Sequence, residues 1–319
     1  MRLVKTVISS LVICIALSAL SPARAQHENV HIIFITHGQE GDTFWDIVQR
    51  GIAQAEQDFD LDIDYRSPTN FDLAEMAGLI DAAVREKPDG LIVSIPDPVV
   101  LGPSIKRAID AGIPVISINS GSDEAERLGV IAHIGQAEYD AGFGAGLKMA
   151  KAGAKNAICL NQEVGNIALD LRCQGFTDGM MESGGKVRVL AVEALDPTAA
   201  AERIANVLIS DQTIDSVLAL GPTSLTPMLD GGRASNRQDT ILFGTFDLSP
   251  EILRSIQDGD ILFAIDQQPY LQGYLPVAYM ILYLENLNTP GDPFVLTGPS
   301  FVTIDNVDRV IQLSIAGTR

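Results

Sequence analysis

Short apolar runs alternate with longer amphipathic stretches along the chain. The apolar runs are rich in Ile, Val and Leu, are bounded by Gly, Pro and Asp, and predict strands. The predicted strands are Val30–Thr36, Leu61–Tyr65, Gly90–Ser94, Val115–Ile118, Val130–Ile134, Ala157–Asn161, Val187–Ala191, Ser216–Leu220, Thr240–Thr245 and Ile261–Ile265. The intervening stretches repeat their apolar residues with the period of a helix. The predicted helices are Phe44–Phe59, Leu73–Glu86, Leu101–Ala111, Tyr139–Ala152, Ala168–Glu182, Ala199–Ser210, Pro250–Gln257 and Tyr270–Leu284.

The strand runs are continuously apolar, which is typical of strands that are covered on both faces in a parallel sheet. Their alternation with helices predicts right-handed β-α-β units. Ten strands are too many for one twisted sheet of ordinary size. The pattern therefore predicts an α/β fold with two parallel sheets of about five strands, divided near Gly135-Gln136.

Residues 1–25 have the pattern of a secretory signal peptide. Arg2 and Lys5 precede an apolar stretch from Val7 to Leu20, and Ala23-Arg24-Ala25 offers small residues at the −3 and −1 positions of a cleavage site before Gln26. The apolar stretch is short and interrupted by serine, which disfavours a membrane span; a retained anchor is the alternative. We therefore expect cleavage after Ala25 and a mature chain in an exported, aqueous compartment.

The composition is acidic and globular. Hydrophobic residues make up 46% of the chain and charged residues 20%, which is not the composition of a disordered protein. After removal of the leader, 19 basic residues remain against 41 acidic ones, a formal net charge of −22. Because nucleic acids and anionic membranes need a positive surface, this charge disfavours both as partners. The remaining length of about 294 residues suffices for two domains with separate cores.

Two cysteines remain after leader removal, Cys159 at the end of a predicted strand and Cys173 in the following helix. In an oxidising compartment the two are candidates for a disulfide, and two buried thiols are the alternative. Neither cysteine lies in a metal-binding spacing, and no cofactor is expected.

The segment from Gly38 to Trp45 follows the first strand and opens the first helix, the place where open α/β sheets bind ligands. Phe44 and Trp45 offer aromatic faces for the C–H face of a sugar ring, and Asp42 offers an acceptor for its hydroxyl groups. Alternatively, Trp45 fills core space between the domains.

Polar residues recur directly after the other strands, at Asp97, Asn119, Gln136, Asn161, Asp247 and Gln267. Each one alone is equally explained as a helix cap. Their recurrence at the same topological position indicates one shared polar cleft. Asp170, Arg172 and Asp196 are equally explained by salt bridges on helix faces.

Sequence signatures of enzymes are absent: no Walker loop, His-Glu-x-x-His or Gly-x-Ser-x-Gly motif occurs. Gly142-Phe143-Gly144-Ala145-Gly146 has the wrong spacing for a dinucleotide loop and lies inside a predicted helix, which favours close helix packing. His37 lies beside the first loop, whereas His133 is interpreted as a strand residue. The sequence predicts no catalytic residue.

The chain resembles the type I periplasmic sugar-binding proteins, the family of the ribose-binding protein. The resemblance covers nearly the whole mature chain. The segments that carry it are Gly41-Asp42-Thr43-Phe44-Trp45, Lys87–Val93, Ala111–Ile116, Gly244-Thr245-Phe246-Asp247 and Phe263–Tyr274. It implies two Rossmann-like, doubly wound domains joined by three hinge crossings, with the ligand between them. The implied lobes are residues 26–135 with 268–299, and residues 136–267 with 300–319.

The resemblance also implies which residues bind. Asp42, Phe44 and Trp45 stand at the positions of the family's Asn-Pro-Phe-Phe loop, and Asp247 and Gln267 match the family's pattern. The family's Asp-Arg pair falls on Asn119-Ser120, its second binding arginine falls near Asp170, and a binding asparagine falls on Gly221. These departures disfavour ribose and suit a polyol, a cyclitol or an amino sugar. The expected ligand-binding residues are Asp42, Phe44, Trp45, Asp97, Asn119, Gln136, Asp170, Asp247 and Gln267.

The expected function is that of a periplasmic, non-enzymatic binding protein, monomeric and not membrane-embedded, that captures a small polyhydroxy ligand and delivers it to an ABC permease. One alternative is a receptor subunit that presents a sugar-like signal molecule to a sensor kinase or chemoreceptor. The ligand core of a transcription regulator is disfavoured by the leader and by the acidic charge, and an exported enzyme by the missing acid–base pair.

Overall fold

The computed structural model describes residues 30–39, 41–193 and 196–319, so the predicted signal peptide lies outside the described residues. The strands are β1 Ile32–Ile35, β2 Ile63–Arg66, β3 Gly90–Ser94, β4 Val115–Ile118, β5 His133–Gln136, β6 Asn156–Asn161, β7 Lys186–Ala191, β8 Ser216–Ala219, β9 Leu242–Phe246, β10 Phe263–Asp266, β11 Phe294–Gly298 and β12 Ser300–Val302. The helices are α1 Thr43–Phe59, α2 Leu73–Glu86, α3 Pro98–Asp110, α4 Ser122–Leu128, α5 Glu138–Lys151, α6 Ile167–Glu182, α7 Pro197–Ser210, α8 Leu225–Ala234, α9 Pro250–Asp258, α10 Pro269–Asn286 and α11 Val307–Ile315.

The strands form two six-stranded sheets with the same winding. The first sheet has the order β11-β5-β4-β3-β1-β2 and the second β12-β10-β9-β8-β6-β7. All pairs are parallel except β10 with β12. The predicted α/β class with two parallel-dominated sheets is confirmed.

Each sheet lies between two layers of helices, and we call the two sandwiches the N-lobe and the C-lobe. In the N-lobe, α1 and α10 pack on one sheet face and α2 and α3 on the other. In the C-lobe, α5 and α6 cover one face, while α7, α8, α9 and α11 cover the other. The chain passes between the sheets after β5, after β10 and between β11 and β12. Gln136 still pairs in the first sheet, one residue beyond the expected boundary.

Helices α5 and α6 approach each other with their backbones almost in contact. A Cβ atom on Gly142 would lie 2.1 Å from the carbonyl oxygen of Arg172, and one on Gly175 would lie 2.0 Å from that of Tyr139. These distances are too short for any side chain. The prediction that the glycine-rich segment serves helix packing is confirmed.

Cys159 and Cys173 form a disulfide with a Cα–Cα distance of 5.8 Å, which settles the two alternatives in favour of the bridge. Because β6 and α6 are consecutive, the bridge closes a short loop and stabilises the fold by roughly 3 kcal/mol in the chain-entropy picture. Within the described part of the chain, no helix has the length and apolar character needed to cross a membrane.

Candidate functional site

The carboxyl ends of the strands in both sheets face each other across one cleft. The cleft is lined by His37, Asp42, Phe44, Trp45, Asn119, Gln162, Glu163, Asn166, Leu169, Arg172, Leu220, Gly221, Pro222, Thr223, Asp247 and Gln267. It holds about 370 Å³ of unfilled space, counting its opening to solvent. The position at the strand ends is typical of small-molecule sites in α/β proteins.

The start of α1 forms the aromatic side of the cleft. Asp42 caps the helix, because its Oδ1 accepts a hydrogen bond of 2.9 Å from the amide of Phe44. The cap sets the direction of the first turn, which carries Phe44 and Trp45. The Trp45 ring meets the rings of His37 and Phe44 edge-on, at centroid distances of 4.9 and 5.0 Å. Trp45 is only 4% exposed, so it serves both the N-lobe core and the cleft wall.

His37 is held as a neutral side chain. Its Nδ1 lies 2.8 Å from Ser94 Oγ, which also accepts from the His37 amide. Burial, with the nearby charge of Arg172, lowers the pKa of His37 to about 3. At neutral pH the ring therefore brings no charge to the cleft.

The start of α6 forms the opposite wall. Asn166 caps this helix by accepting from the amide of Ala168 at 3.1 Å, and its Nδ2 donates to Glu163 Oε2 at 2.7 Å. Glu163 is thereby held in the wall with its side chain 11% exposed. Sequence reasoning missed both residues as site residues. The sequence does contain a signal for them: Asn166 caps the helix after β6 in the same way that Asp42 caps the helix after β1.

Two residues with left-handed backbone conformation face the floor of the cleft. Asn119 follows β4 with φ 60°, and Asp247 follows β9 with φ 63°. Both meet Gln267, which accepts from Asn119 Nδ2 at 3.2 Å and donates to Asp247 Oδ1 at 2.7 Å. Gln267 follows β10 at the second crossing, so one amide joins the floor residues of both lobes at a hinge.

A buried arginine lies behind Asp247. Arg172 donates from Nε and Nη2 to the two carboxylate oxygens of Glu138 at 2.5 and 3.0 Å, and from Nη1 to the carbonyl oxygen of Leu220 at 2.9 Å. Its Nη1 lies 3.9 Å from Asp247 Oδ2, and its guanidinium stacks 4.5 Å above the Phe246 ring. Burial disfavours the charged form most strongly, but attraction and hydrogen bonds to Glu138, together with attraction to Asp247 and Glu163, outweigh it, so the pKa of Arg172 is raised.

Three carboxyl groups of the cleft titrate near neutral pH. Burial raises the pKa of Asp42 to about 6 and those of Glu163 and Asp247 to about 7. Repulsion from Asp42 adds to the rise for Glu163 and Asp247. At neutral pH Asp42 is mostly ionised, while Glu163 and Asp247 are partly protonated, so the cleft offers a ligand mainly acceptors and some donors.

Direct hydrogen bonds also join the lobes across the cleft. The amide of Ile167 donates to the carbonyl oxygen of Pro96 at 2.9 Å. Ser120 Oγ donates to Asn166 Oδ1 at 3.3 Å, and Asn166 Nδ2 lies 3.4 Å from His37 Nε2. We call these three bonds the interlobe contacts. They hold the lobes together in the arrangement described here.

Six of the nine expected site residues line the cleft: Asp42, Phe44, Trp45, Asn119, Asp247 and Gln267. The other three do not. Asp97 accepts from the amides of Val99 and Val100 and caps α3, which is the helix-cap alternative given for these residues. Gln136 is fully buried outside the lining and donates to Glu138 Oε2 at 2.8 Å.

The expectation for the start of α6 needs correction. Asp170 is exposed, accepts from Asn161 Nδ2 at 3.0 Å and is not a lining residue of the cleft. The turn of α6 directs Arg172 inward, two residues further on. The binding arginine of the family, which the sequence comparison placed near Asp170 and counted as lost, therefore has a counterpart in Arg172. The helix begins after its cap Asn166, and this start turns position 172 towards the cleft.

The cleft can bind through hydrogen bonds and ring stacking. In the described ranges, no cluster of three or more His, Cys, Asp or Glu side chains is arranged to hold a metal ion. Carboxylates and amides can accept from hydroxyl groups, while Trp45 and Phe44 offer apolar faces.

Comparison with known proteins agrees with this geometry. Residues 32–288 match the family model of the periplasmic binding protein domain. A carbohydrate transporter from Acidothermus cellulolyticus 11B, solved in complex with myo-inositol, is 35% identical with a TM-score of 0.86, over 91% of this chain and 99% of that one.

Two curated relatives are sugar-binding proteins. The xylose/arabinose-binding protein XylF of Sulfolobus acidocaldarius is 27% identical over 91% of this chain and 75% of its own. The ribose import binding protein RbsB of Salmonella typhimurium is 24% identical over 82% and 87%. The chain thus belongs to the periplasmic binding protein family.

Proposed function

We propose that the chain is a periplasmic solute-binding protein that captures a small sugar, polyol or cyclitol between its lobes and delivers it to an ABC importer. The observation that carries this function is the interlobe cleft, in which aromatic faces from one lobe oppose hydrogen-bonding groups from the other. The myo-inositol complex of the similar transporter protein makes a cyclitol the first ligand to test.

The ligand ring lies against Trp45 and Phe44, and its hydroxyl groups donate to Asp42, Glu163 and Asp247. A hydroxyl placed between Asp247 and Arg172 can donate to the carboxylate and accept from the guanidinium, because the two groups are 3.9 Å apart. Each lobe contributes contacts, so the ligand stabilises the closed arrangement relative to an open one.

Closure would turn the lobes about the three crossings. We assign the described residues of 26–135 with 268–299 to one rigid body and those of 136–267 with 300–319 to the other, because the sheets divide within one residue of these bounds. Hinge residues absorb such motion at a few positions between rigid elements. Binding and release complete the cycle without bond breaking, and the protein acts as a monomer after cleavage behind Ala25.

Transport is favoured over the presentation of a signal to a sensor kinase, since relatives of this chain are import proteins. The partner is then a membrane permease that receives the ligand-loaded protein.

A thermal-shift screen of the refolded, ligand-free mature protein tests the proposal. The panel contains myo-inositol, D-xylose, L-arabinose, D-ribose, D-glucose and D-glucosamine. A ligand at 100 times its dissociation constant adds about 2.7 kcal/mol to the free energy of unfolding, which raises the melting temperature clearly. The shift is expected to disappear in folded Asp247→Ala and to persist in Asp97→Ala, which changes a helix cap outside the cleft. No shift with any member, or equal shifts in Asp247→Ala, would contradict the proposal.

A further inference from the structure

The cleft holds one arginine whose charge is already neutralised. Arg172 is the only Lys or Arg among the lining residues of the described chain. Its Nε and Nη2 bind both oxygens of Glu138, and the pair is 3% and 1% exposed at its side chains. Glu138 itself is not a lining residue. A ligand therefore meets the guanidinium, while the carboxylate that balances it stays behind the wall.

The other charged groups of the lining are carboxylates. Asp42, Glu163 and Asp247 come from three different strand ends, and none forms a close ion pair; the nearest cation is Arg172, 3.9 Å from Asp247. Once Glu138 is counted against Arg172, the wall carries the charge of Asp42 and the partial charges of Glu163 and Asp247 without a compensating positive charge. Such a site is complementary to hydrogen-bond donors and repels anions.

The Glu138–Arg172 pair is not required by helix packing, as the N-lobe demonstrates. There α1 and α10 approach as closely as α5 and α6: a Cβ on Gly51 would lie 2.2 Å from the carbonyl oxygen of Tyr270, and one on Gly273 would lie 2.0 Å from that of Val48. Val48 corresponds to Arg172, since each lies six residues after its helix cap and faces the glycine of the partner helix.

The position that corresponds to Glu138 is also apolar in the N-lobe. Glu138 lies four residues before Gly142, and Pro269 lies four residues before Gly273. Val48 and Pro269 are both buried. One architecture thus tolerates apolar residues at both positions, and burying two charges without need is costly. The pair must be explained by what it does in the cleft.

We propose that Glu138 sets the charge specificity of the site by neutralising Arg172, so that the cleft accepts neutral polyols and rejects their carboxylate and phosphate derivatives. The inference rests on the proposed function and narrows its substrate class. Glu138 is a positioning residue in this account. It holds the guanidinium plane, so that Nη1 lies beside Asp247 and can donate to a ligand oxygen.

Matched ligand pairs test the inference on the unchanged protein. Calorimetric titrations compare D-glucose with D-glucuronate, D-galactose with D-galacturonate, and myo-inositol with myo-inositol 1-phosphate. The neutral member of a binding pair is expected to bind at least 100-fold more tightly than the anion. If a neutral member binds and its anion binds equally well, the inference is wrong although the proposed function stands. If no neutral member binds, the proposed function is wrong and the inference falls with it.

The Glu138→Gln variant tests the role of the carboxylate. The guanidinium then carries an unbalanced charge next to the ligand, so the neutral-to-anion affinity ratio should fall at least tenfold. Asp170→Asn is the matched control, since it removes an exposed carboxylate from α6 two residues from Arg172. An unchanged ratio in folded Glu138→Gln, or an equal fall in Asp170→Asn, contradicts the inference.

A double variant covers the case in which Glu138→Gln does not fold. Glu138→Leu with Arg172→Leu replaces the buried pair by apolar side chains, a change that folded proteins often tolerate. The three carboxylates remain, so rejection of anions should persist although neutral ligands lose the Arg172 contact. Tight binding of an anion by the double variant would contradict the inference.

Discussion

The N-lobe and the C-lobe place corresponding residues at corresponding points of the same frame. Asp42 caps α1 with φ −80° and ψ 111°, and Asn166 caps α6 with φ −82° and ψ 111°. Asn119 after β4 and Asp247 after β9 share the left-handed conformation, which Asn and Asp adopt more readily than most residues. Two copies of one α/β unit therefore aim two sets of side chains at one cleft.

The lobes differ in the chemistry carried by that frame. Three residues after the cap, α1 has Trp45 where α6 has Leu169. Six residues after the cap, α1 has Val48 where α6 has Arg172. The N-lobe supplies the aromatic face and the C-lobe supplies the buried ion pair. Because the two lobes share one backbone arrangement but carry different side chains, a ligand is fully recognised only when it contacts both lobes.

Because both lobes contain the same close helix crossing, α1 with α10 and α5 with α6, an added side chain at either crossing should destabilise the protein equally. Gly51→Ala and Gly175→Ala each drive a Cβ against a carbonyl oxygen, at 2.2 and 2.0 Å, and should each lower the free energy of unfolding by about 3 kcal/mol. Urea unfolding measures both. Gly78→Ala at an exposed position of α2 has no atom within 4 Å of the new Cβ and should raise the free energy of unfolding by about 0.5–1 kcal/mol. A large loss of unfolding free energy for only one of the two glycine variants would show that the two crossings are not equivalent.

The divided chemistry predicts unequal losses of affinity at corresponding positions. Trp45→Ala removes the aromatic face and should weaken ligand binding by about 2 kcal/mol, roughly 30-fold. Leu169→Ala should weaken it by only about 1 kcal/mol, since it removes less contact area. Titration calorimetry at a temperature where both variants are folded provides the test, with Trp45→Phe as the conservative control. Equal losses would mean that the N-lobe has no special role in ring recognition.

The interlobe contacts should set the strength of closure without affecting selectivity. Ile167 is the first residue of α6, where proline is tolerated, and Asn166 already has the extended conformation that proline requires before it. Ile167→Pro deletes only the amide that reaches Pro96, so the affinities for all ligands should fall by the same factor, about fivefold to tenfold. Ile167→Ala keeps the amide and serves as the control. A similar loss in Ile167→Ala, or a loss for some ligands only, would argue against this role.

The free energy of unfolding is also expected to depend on pH. Because the folded-state pKa values of Asp42, Glu163 and Asp247 are raised, folding binds protons between their ordinary values and about 6 to 7. The contribution of these three carboxyl groups to the free energy of unfolding therefore falls as the pH rises from 5 to 8. The lowered pKa of His37 acts oppositely, but only below about 6.5.

Melting temperatures of the ligand-free protein from pH 5 to 8 measure this effect. Glu163→Gln should reduce the slope, whereas Glu202→Gln, a change at an exposed position of α7, should not. A slope that is the same in wild type and Glu163→Gln would show that the Glu163 carboxyl does not titrate in this range.

Much of the frame could be predicted from the sequence, because continuous apolar strands and amphipathic helices are local signals. The edge strands β11 and β12 and the helices α4, α8 and α11 were missed. They are short, and α8 contains Gly231 and Gly232, which lower helix propensity. Their conformation depends on packing against the sheets.

The site was predicted where a residue directly follows a strand, as at Asn119, Asp247 and Gln267. It was missed where a helix turn decides the direction of a side chain, as at Arg172. The partner of that arginine, Glu138, is 34 positions away in the sequence and comes close only through the α5–α6 packing. Long-range pairing of this kind has no local signature.

The fluorescence of Trp45 reports most directly on ligand binding between the lobes, because Trp45 is the only tryptophan in the chain and lies in the cleft wall. The mature, ligand-free protein is titrated with myo-inositol, D-xylose and D-ribose while the emission is recorded. We expect a saturable change with at least one of them, and we expect Asp247→Ala, on the opposite lobe, to abolish it. Emission that stays constant with every ligand, or a change that Asp247→Ala retains in full, would contradict binding between the lobes.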